Sequence, residues 1–109
     1  MLFYRCTISL HLVTLGDGHL DIFFETEGDY LETYETSAEN FQDLLSGKKI
    51  LCSKKKPHRN SYLDYEGEIS NGRGILRILW RGTYCKEIGI FPEVVKIFLF
   101  NNKNLTLEF

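Results

Sequence analysis

"HLDIFFE", residues 19–25, decides how this chain is read. Side chains along a strand alternate between its two faces. Leu20, Ile22 and Phe24 therefore share one face, while His19, Asp21, Phe23 and Glu25 share the other. The first face suits a hydrophobic core. The second sets an imidazole beside a carboxylate, roughly 6–7 Å apart at their α-carbons.

The flanking sequence supplies partners for such a strand. Residues 2–13 are rich in β-branched and aromatic side chains and read as a strand. "TLGDG" at 14–18 is turn chemistry, so the first two strands form a hairpin. "EGD" at 27–29 is a second turn, and "YLETYET" at 30–36 a third strand. Tyr30, Glu32, Tyr34 and Thr36 alternate there against Leu31, Thr33 and Glu35. Residues 37–46 carry the best helical pattern: Ala38, Phe41, Leu44 and Leu45 recur at helical intervals. Thr36 and Glu39 have capping-box spacing, and Gly47 is placed to end the helix.

A short strand "KILCS" (49–53) follows, then the loop "KKKPHRN" (54–60). Beyond "YLDYEGEI" and the turn "SNGRG" (70–74) comes the strand "ILRILWRGTY" (75–84). The chain ends in a hairpin of "VVKIFLF", the turn "NNKN" and "LTLEF". Many short strands and one helix predict a mainly β fold. The expected form is a single-domain antiparallel β-barrel of about seven or eight strands with one short flanking helix, spanning residues 1–109.

Composition narrows the class. With 109 residues, 43% of them apolar, the chain can furnish one core. A net charge of −2 excludes a global basic field that would draw it to nucleic acid, so any such attraction is local. Cys6, Cys52 and Cys85 are odd in number and lack metal-type spacing, which predicts reduced, buried thiols. The N-terminal run is interrupted by Arg5, a poor signal peptide and too short to span a bilayer. The expectation is a soluble cytoplasmic protein with no membrane association.

Two constellations could carry chemistry. If the first hairpin turns at 14–18, His11 faces His19 across the ladder. His11, His19 and Asp21 then form a two-histidine, one-carboxylate set suited to a divalent ion such as Mn²⁺ or Zn²⁺. The alternative is a solvated polar face whose histidine and aspartate bond each other. The second constellation spans 56–74. His58 lies among Lys54, Lys55, Lys56 and Arg59, with Lys48 and Lys49 nearby and Tyr62 four residues on. A loop histidine among cations suits phosphate binding or protonation of a leaving group. The cations suit a phosphodiester backbone, or else simply a solvated loop. "GRG" at 72–74 is only faintly like a phosphate cradle and is more commonly a turn.

Taken together, "HLDIFFE", "LETYET" and "PHRNSYLDYEGEISNGRGILRILWRGTY" resemble the phosphoesterase domain of bacterial ATP-dependent DNA ligase D, and more closely its short stand-alone relatives. The shared pattern is an HxDxxxE strand, a later histidine followed by tyrosine, an EG turn, a Gly-rich loop and a "GTY" strand, in that order over nearly the whole chain. The resemblance implies a β-barrel with a metal-dependent site, Mn²⁺ first and Zn²⁺ or Co²⁺ as alternatives. Its implied activity is removal of a 3′-phosphate or 3′-terminal ribonucleoside from DNA or a DNA/RNA primer, alongside a separate ligase or polymerase. His19 and Asp21 match its metal ligands. His11 is the third, at a spacing two residues longer than usual. His58 matches the histidine that contacts the scissile phosphate, and Tyr62 its companion. Lys49, Lys54, Lys55, Lys56 and Arg59 are the phosphate-binding candidates.

The sequence also departs from the pattern. Phe23 stands where the family has an arginine, and Lys56 and Pro57 where it has acidic residues. Lys49 is one position away from the family's basic residue. A guanidinium clamp has no substitute in a phenyl ring. The alternative function is therefore a binding module that keeps the barrel without turnover, and beyond that a purely structural interaction domain.

Overall fold

In a computed structural model, residues 3–13, 18–85, 94–98 and 104–108 are described. Two long N-terminal strands lead, β1 (Phe3–Leu12) and β2 (Gly18–Glu25), followed by β3 (Tyr30–Ser37). A 3-10 turn (Ala38–Asn40) runs into α1 (Phe41–Leu45). Then come β4 (Lys49–Leu51), β5 (Ser53–Lys54), β6 (His58–Arg59), a second 3-10 turn (Asn60–Leu63) and β7 (Gly67–Glu68). The strands β8 (Ile75–Cys85), β9 (Val94–Phe98) and β10 (Asn104–Glu108) close the order. The turn residues 14–17 and 101–103, and the "KEIGIFPE" stretch, lie outside the described residues.

All ten strands among the described residues belong to one sheet, ordered β4-β10-β9-β8-β1-β2-β3-β5, with β6 added to β3 and β7 to β8. The predicted mainly β class holds, with two qualifications. The β4–β10 pair is parallel, whereas the remaining ladders are antiparallel. The end strands β4 and β5 have no ladder between them among the described residues; they are consecutive segments separated by Cys52. The sheet is thus strongly curled, its two ends joined through the chain, and is not a hydrogen-bonded closed barrel.

The alternation of 19–25 holds. Leu20, Ile22 and Phe24 are buried with Cys6, Ile8, Tyr34, Leu44, Ile50, Cys52 and Tyr84 in the main core. Phe24 sits edge-on to both Tyr34 and Tyr84. Leu44 of α1 closes this cluster. Phe23, on the opposite face, is just as buried, in a second cluster with Leu31 and Leu63 and with Tyr62 against it. The sheet is therefore covered on both faces at β2. The second cover is the segment carrying β6 and the 3-10 turn Asn60–Leu63. Asp64 pins that segment's end by ion pairs to Arg5 on β1 and Arg81 on β8. Those guanidiniums hold its carboxyl below the usual carboxylate range.

Three local expectations are corrected. The helix predicted over 37–46 is a 3-10 turn followed by a five-residue α-helix. The capping box does not form, because Thr36 belongs to β3: its hydroxyl donates to the Leu51 carbonyl and accepts from Asn40. The lysine-rich stretch 54–60 is no free loop. β5 and β6 both pair with β3, and between them the Lys55 N–H donates to the Thr33 carbonyl.

Cys6 and Cys52 are free and buried, as expected; the side chain of Cys85 lies outside the described residues. Burial pushes the Cys52 thiol up to about 11 and raises the Cys6 thiol well above its ordinary value. The thiolate is the reactive species. Both residues are therefore expected to stay unlabelled by a thiol reagent in native buffer and to react in denaturant, read site by site by mass spectrometry. Fast native labelling of either would contradict the packing. No helix among the described residues is long and apolar enough to cross a membrane.

Candidate metal centre

The β1–β2 register sets His11 opposite His19 and Ser9 opposite Asp21. Both histidines and the aspartate stand on the face away from the main core. Their ligand atoms converge: His11 Nδ1 lies 3.1 Å from His19 Nε2 and 3.4 Å from Asp21 Oδ2. His19 Nε2 is 3.1 Å from Asp21 Oδ1. One ligand atom from each residue lies within 4.8 Å of the others. Atoms about 2.1 Å from one cation are spaced by about 3.0 Å at octahedral angles and about 3.4 Å at tetrahedral ones. The observed spacings fall on those edges, so the donor set fits a divalent ion.

A backbone group orients the first ligand. His11 Nε2 lies 2.6 Å from the Arg73 carbonyl oxygen, which can only accept. Nε2 therefore carries the proton in the neutral ring, leaving the Nδ1 lone pair facing His19 and Asp21. Outer-sphere bonds of this type fix ligand tautomers in metal sites. The carbonyl is placed by the 70–74 turn, in which Asn71, Gly72 and Gly74 all have positive φ. At Gly74 an added Cβ would lie 2.1 Å from the Leu12 carbonyl oxygen, so only glycine lets this turn lie against the end of β1.

Asp21 is buried, and Lys55 Nζ donates to its Oδ1 at 3.1 Å. Its neighbour on β1, Ser9, and the next outward residue, Thr7, are also buried. Among the described residues neither of their hydroxyls has a partner.

Two of the three ligand candidates, His11 and Asp21, line a cleft of about 620 Å³ together with Phe23, Lys55, Lys56, His58, Arg59, Tyr62 and Arg73, and His19 joins it through its contacts to those two. His58 is held on three sides. Its Nδ1 donates to the Lys56 carbonyl at 2.8 Å, and its ring is edge-on to Phe23 at 5.4 Å and to Tyr62 at 5.5 Å. With Nδ1 committed, Nε2 is the nitrogen free to meet a ligand.

The expected phosphate-binding set divides. Lys55, Lys56 and Arg59 line the cleft, as does Arg73, which was not singled out for this role. Lys54 stands exposed on β5, outside the lining. Lys49 is placed by its backbone alone, in β4 opposite Thr106. Lys48 pairs with Asp43 on α1. Glu25, on the same face of β2 as the metal candidates, instead accepts from the Arg5 N–H.

Sequence reasoning missed Glu35 and the Arg73 carbonyl. The alternation of "YLETYET" does put Glu35 on one face with Leu31 and Thr33. That it faces Asp21 depends on the β2–β3 register, which alternation does not supply. No family model matches the chain, and no curated protein or solved structure matches it.

Proposed function

We propose that this cleft is a divalent-metal-dependent phosphoesterase site acting on 3′ ends of nucleic acid, in line with the resemblance to the ligase D phosphoesterase domain. The observation that carries the reading is the convergence of His11, His19 and Asp21, the first and last of which line the same cleft as His58. Both constellations, far apart in sequence, meet at one place.

His11, His19 and Asp21 would hold the ion, which when bound supplies Lewis-acid polarisation of a phosphoryl oxygen. Lys55, Lys56, Arg59 and Arg73 would draw the phosphate and adjoining backbone into the cleft. With its Nδ1–H held by the Lys56 carbonyl, His58 as the imidazolium would present Nε2–H to the phosphoryl group, stabilising its developing charge or giving that proton to the leaving 3′-oxygen. Tyr62 positions His58 through its edge contact. Water and a 3′-phosphate end would yield a 3′-hydroxyl and inorganic phosphate, the end that a separate ligase or polymerase requires. Manganese is the first candidate, with zinc or cobalt next.

Phe23 favours a second reading. A buried phenyl ring occupies the position of the family's arginine, so in this reading the clamp is gone and the module binds nucleic acid or metal without turnover. The test uses purified protein, metal analysis by mass spectrometry, and primers ending in 3′-phosphate or a 3′-ribonucleotide. The enzyme reading expects Mn²⁺-stimulated release, lost by at least about a hundredfold in both His19→Ala and His58→Ala. Binding without release supports the module. A protein that takes up no metal and binds no primer removes both readings.

A further inference from the structure

Three polar atoms crowd His19 Nε2. Beyond His11 Nδ1 and Asp21 Oδ1, both at 3.1 Å, Glu35 Oε1 lies 3.0 Å away. Glu35 is the register partner of Asp21 across β2 and β3, so backbone pairing sets the two residues side by side; Glu35 stands outside the group of three whose ligand atoms all lie within 4.8 Å of one another and reaches it through His19. An imidazole N–H has one proton to donate and cannot satisfy three neighbours at this range. Ligand atoms sharing one cation have this mutual spacing without any hydrogen bond between them. The Glu35 contact is as short as those of the other two.

We propose that Glu35 is a fourth protein ligand of the metal, making the centre a two-histidine, two-carboxylate set. The proposal rests on the metal-site reading above and deepens it. Two carboxylates against a divalent charge leave the inner set neutral, and a second oxygen donor favours a harder ion such as Mn²⁺ over Zn²⁺. Lys55 Nζ, 3.1 Å from Asp21 Oδ1 and 3.8 Å from Glu35 Oε1, spans the same two carboxylates. It adds the positive charge that makes the loaded centre attractive to an anion. The two acids differ in access. The Asp21 side chain is 3% exposed and that of Glu35 37%, so Asp21 is the fixed ligand and Glu35 the one at the solvent side.

The experiment compares wild type, Glu35→Gln and Glu35→Asp, each titrated with Mn²⁺ and Zn²⁺ by calorimetry and loaded with Co²⁺ for visible absorption. Glutamine keeps the shape and loses the charge; aspartate keeps the charge and shortens the arm. Both variants are expected to bind Mn²⁺ at least about tenfold more weakly, with a smaller loss for Zn²⁺. The Co²⁺ absorption bands should change in position or intensity, since a ligand has been removed. An unchanged Mn²⁺ affinity or an unchanged Co²⁺ spectrum in Glu35→Gln overturns the assignment. So does full retention in Glu35→Asp, which would make Glu35 a nearby charge and not a ligand. Wild-type protein that binds none of the three ions overturns the metal site itself, a result distinct from the other failures. Glu35 is partly exposed on a strand, so circular dichroism and a thermal melt verify that each variant folds.

Discussion

Phe23→Arg, the substitution that would restore the arginine of the resembling family, is expected to lower stability by more than about 3 kcal/mol and to add no phosphate affinity. Phe23 is fully buried against Leu31 and Leu63, and its ring stacks on Tyr62 at 6.2 Å and meets His58 edge-on. An arginine there must either bury its guanidinium stem among Leu31, Leu63 and Tyr62 or force the 58–63 segment off the sheet. The first is a large desolvation penalty and the second opens the cluster. Either way His58 loses the ring that seats it. Urea denaturation gives the stability, and inorganic phosphate titration followed by NMR gives the affinity. Phe23→Leu is the control: it keeps an apolar side chain and should cost less than Phe23→Arg. If Phe23→Arg is as stable as wild type and binds phosphate more tightly, the position is a clamp site after all. The aromatic would then be a substitution of ligand chemistry rather than the anchor of the cleft wall.

The same residue shows what the sequence could and could not disclose. Strand alternation depends only on neighbouring residues, so the split of 19–25 into a core face and a working face was readable. So was the His11–His19 pairing, because a short turn ties the register of a hairpin to its length. That Phe23 would be buried on the working face was not readable. Its cover comes from residues 58–63, and only tertiary structure brings them there. Glu35 escaped notice for a related reason: its neighbourhood depends on a strand register. The helix is shorter than its sequence pattern predicts because Thr36, a plausible cap in isolation, is held within β3 by its bond to the Leu51 carbonyl. The two-residue strands β5 and β6 have too little pattern of their own. They exist because β3 offers an edge and the Lys55 N–H joins it. Local chemistry thus indicates which groups are present, whereas the long-range ladders decide which of them meet.

Gly74→Ala tests that dependence at its most sensitive point. The residue has φ +106, and an added Cβ would lie 2.1 Å from the Leu12 carbonyl oxygen, a contact with backbone that cannot rotate away. The dihedral alone costs a non-glycine residue about 1–3 kcal/mol. The clash adds to this unless the 70–74 turn lifts from β1. Lifting separates the Arg73 carbonyl from His11 Nε2, now 2.6 Å apart, and frees the imidazole to change tautomer. Loss of such an outer-sphere partner typically weakens metal binding about 10–100-fold. Gly74→Ala should therefore lower the urea midpoint and weaken Mn²⁺ binding together, although residue 74 offers the ion no side chain. Gly72→Ala separates the two effects. Its φ of +67 is also left-handed, but nothing lies within 4 Å of the added Cβ. It should lose about 1 kcal/mol of stability from the backbone conformation and leave metal affinity unchanged. If both variants bind Mn²⁺ as wild type does, the Arg73 carbonyl does not orient His11. The proton on that imidazole must then be set by His19 and Asp21 alone.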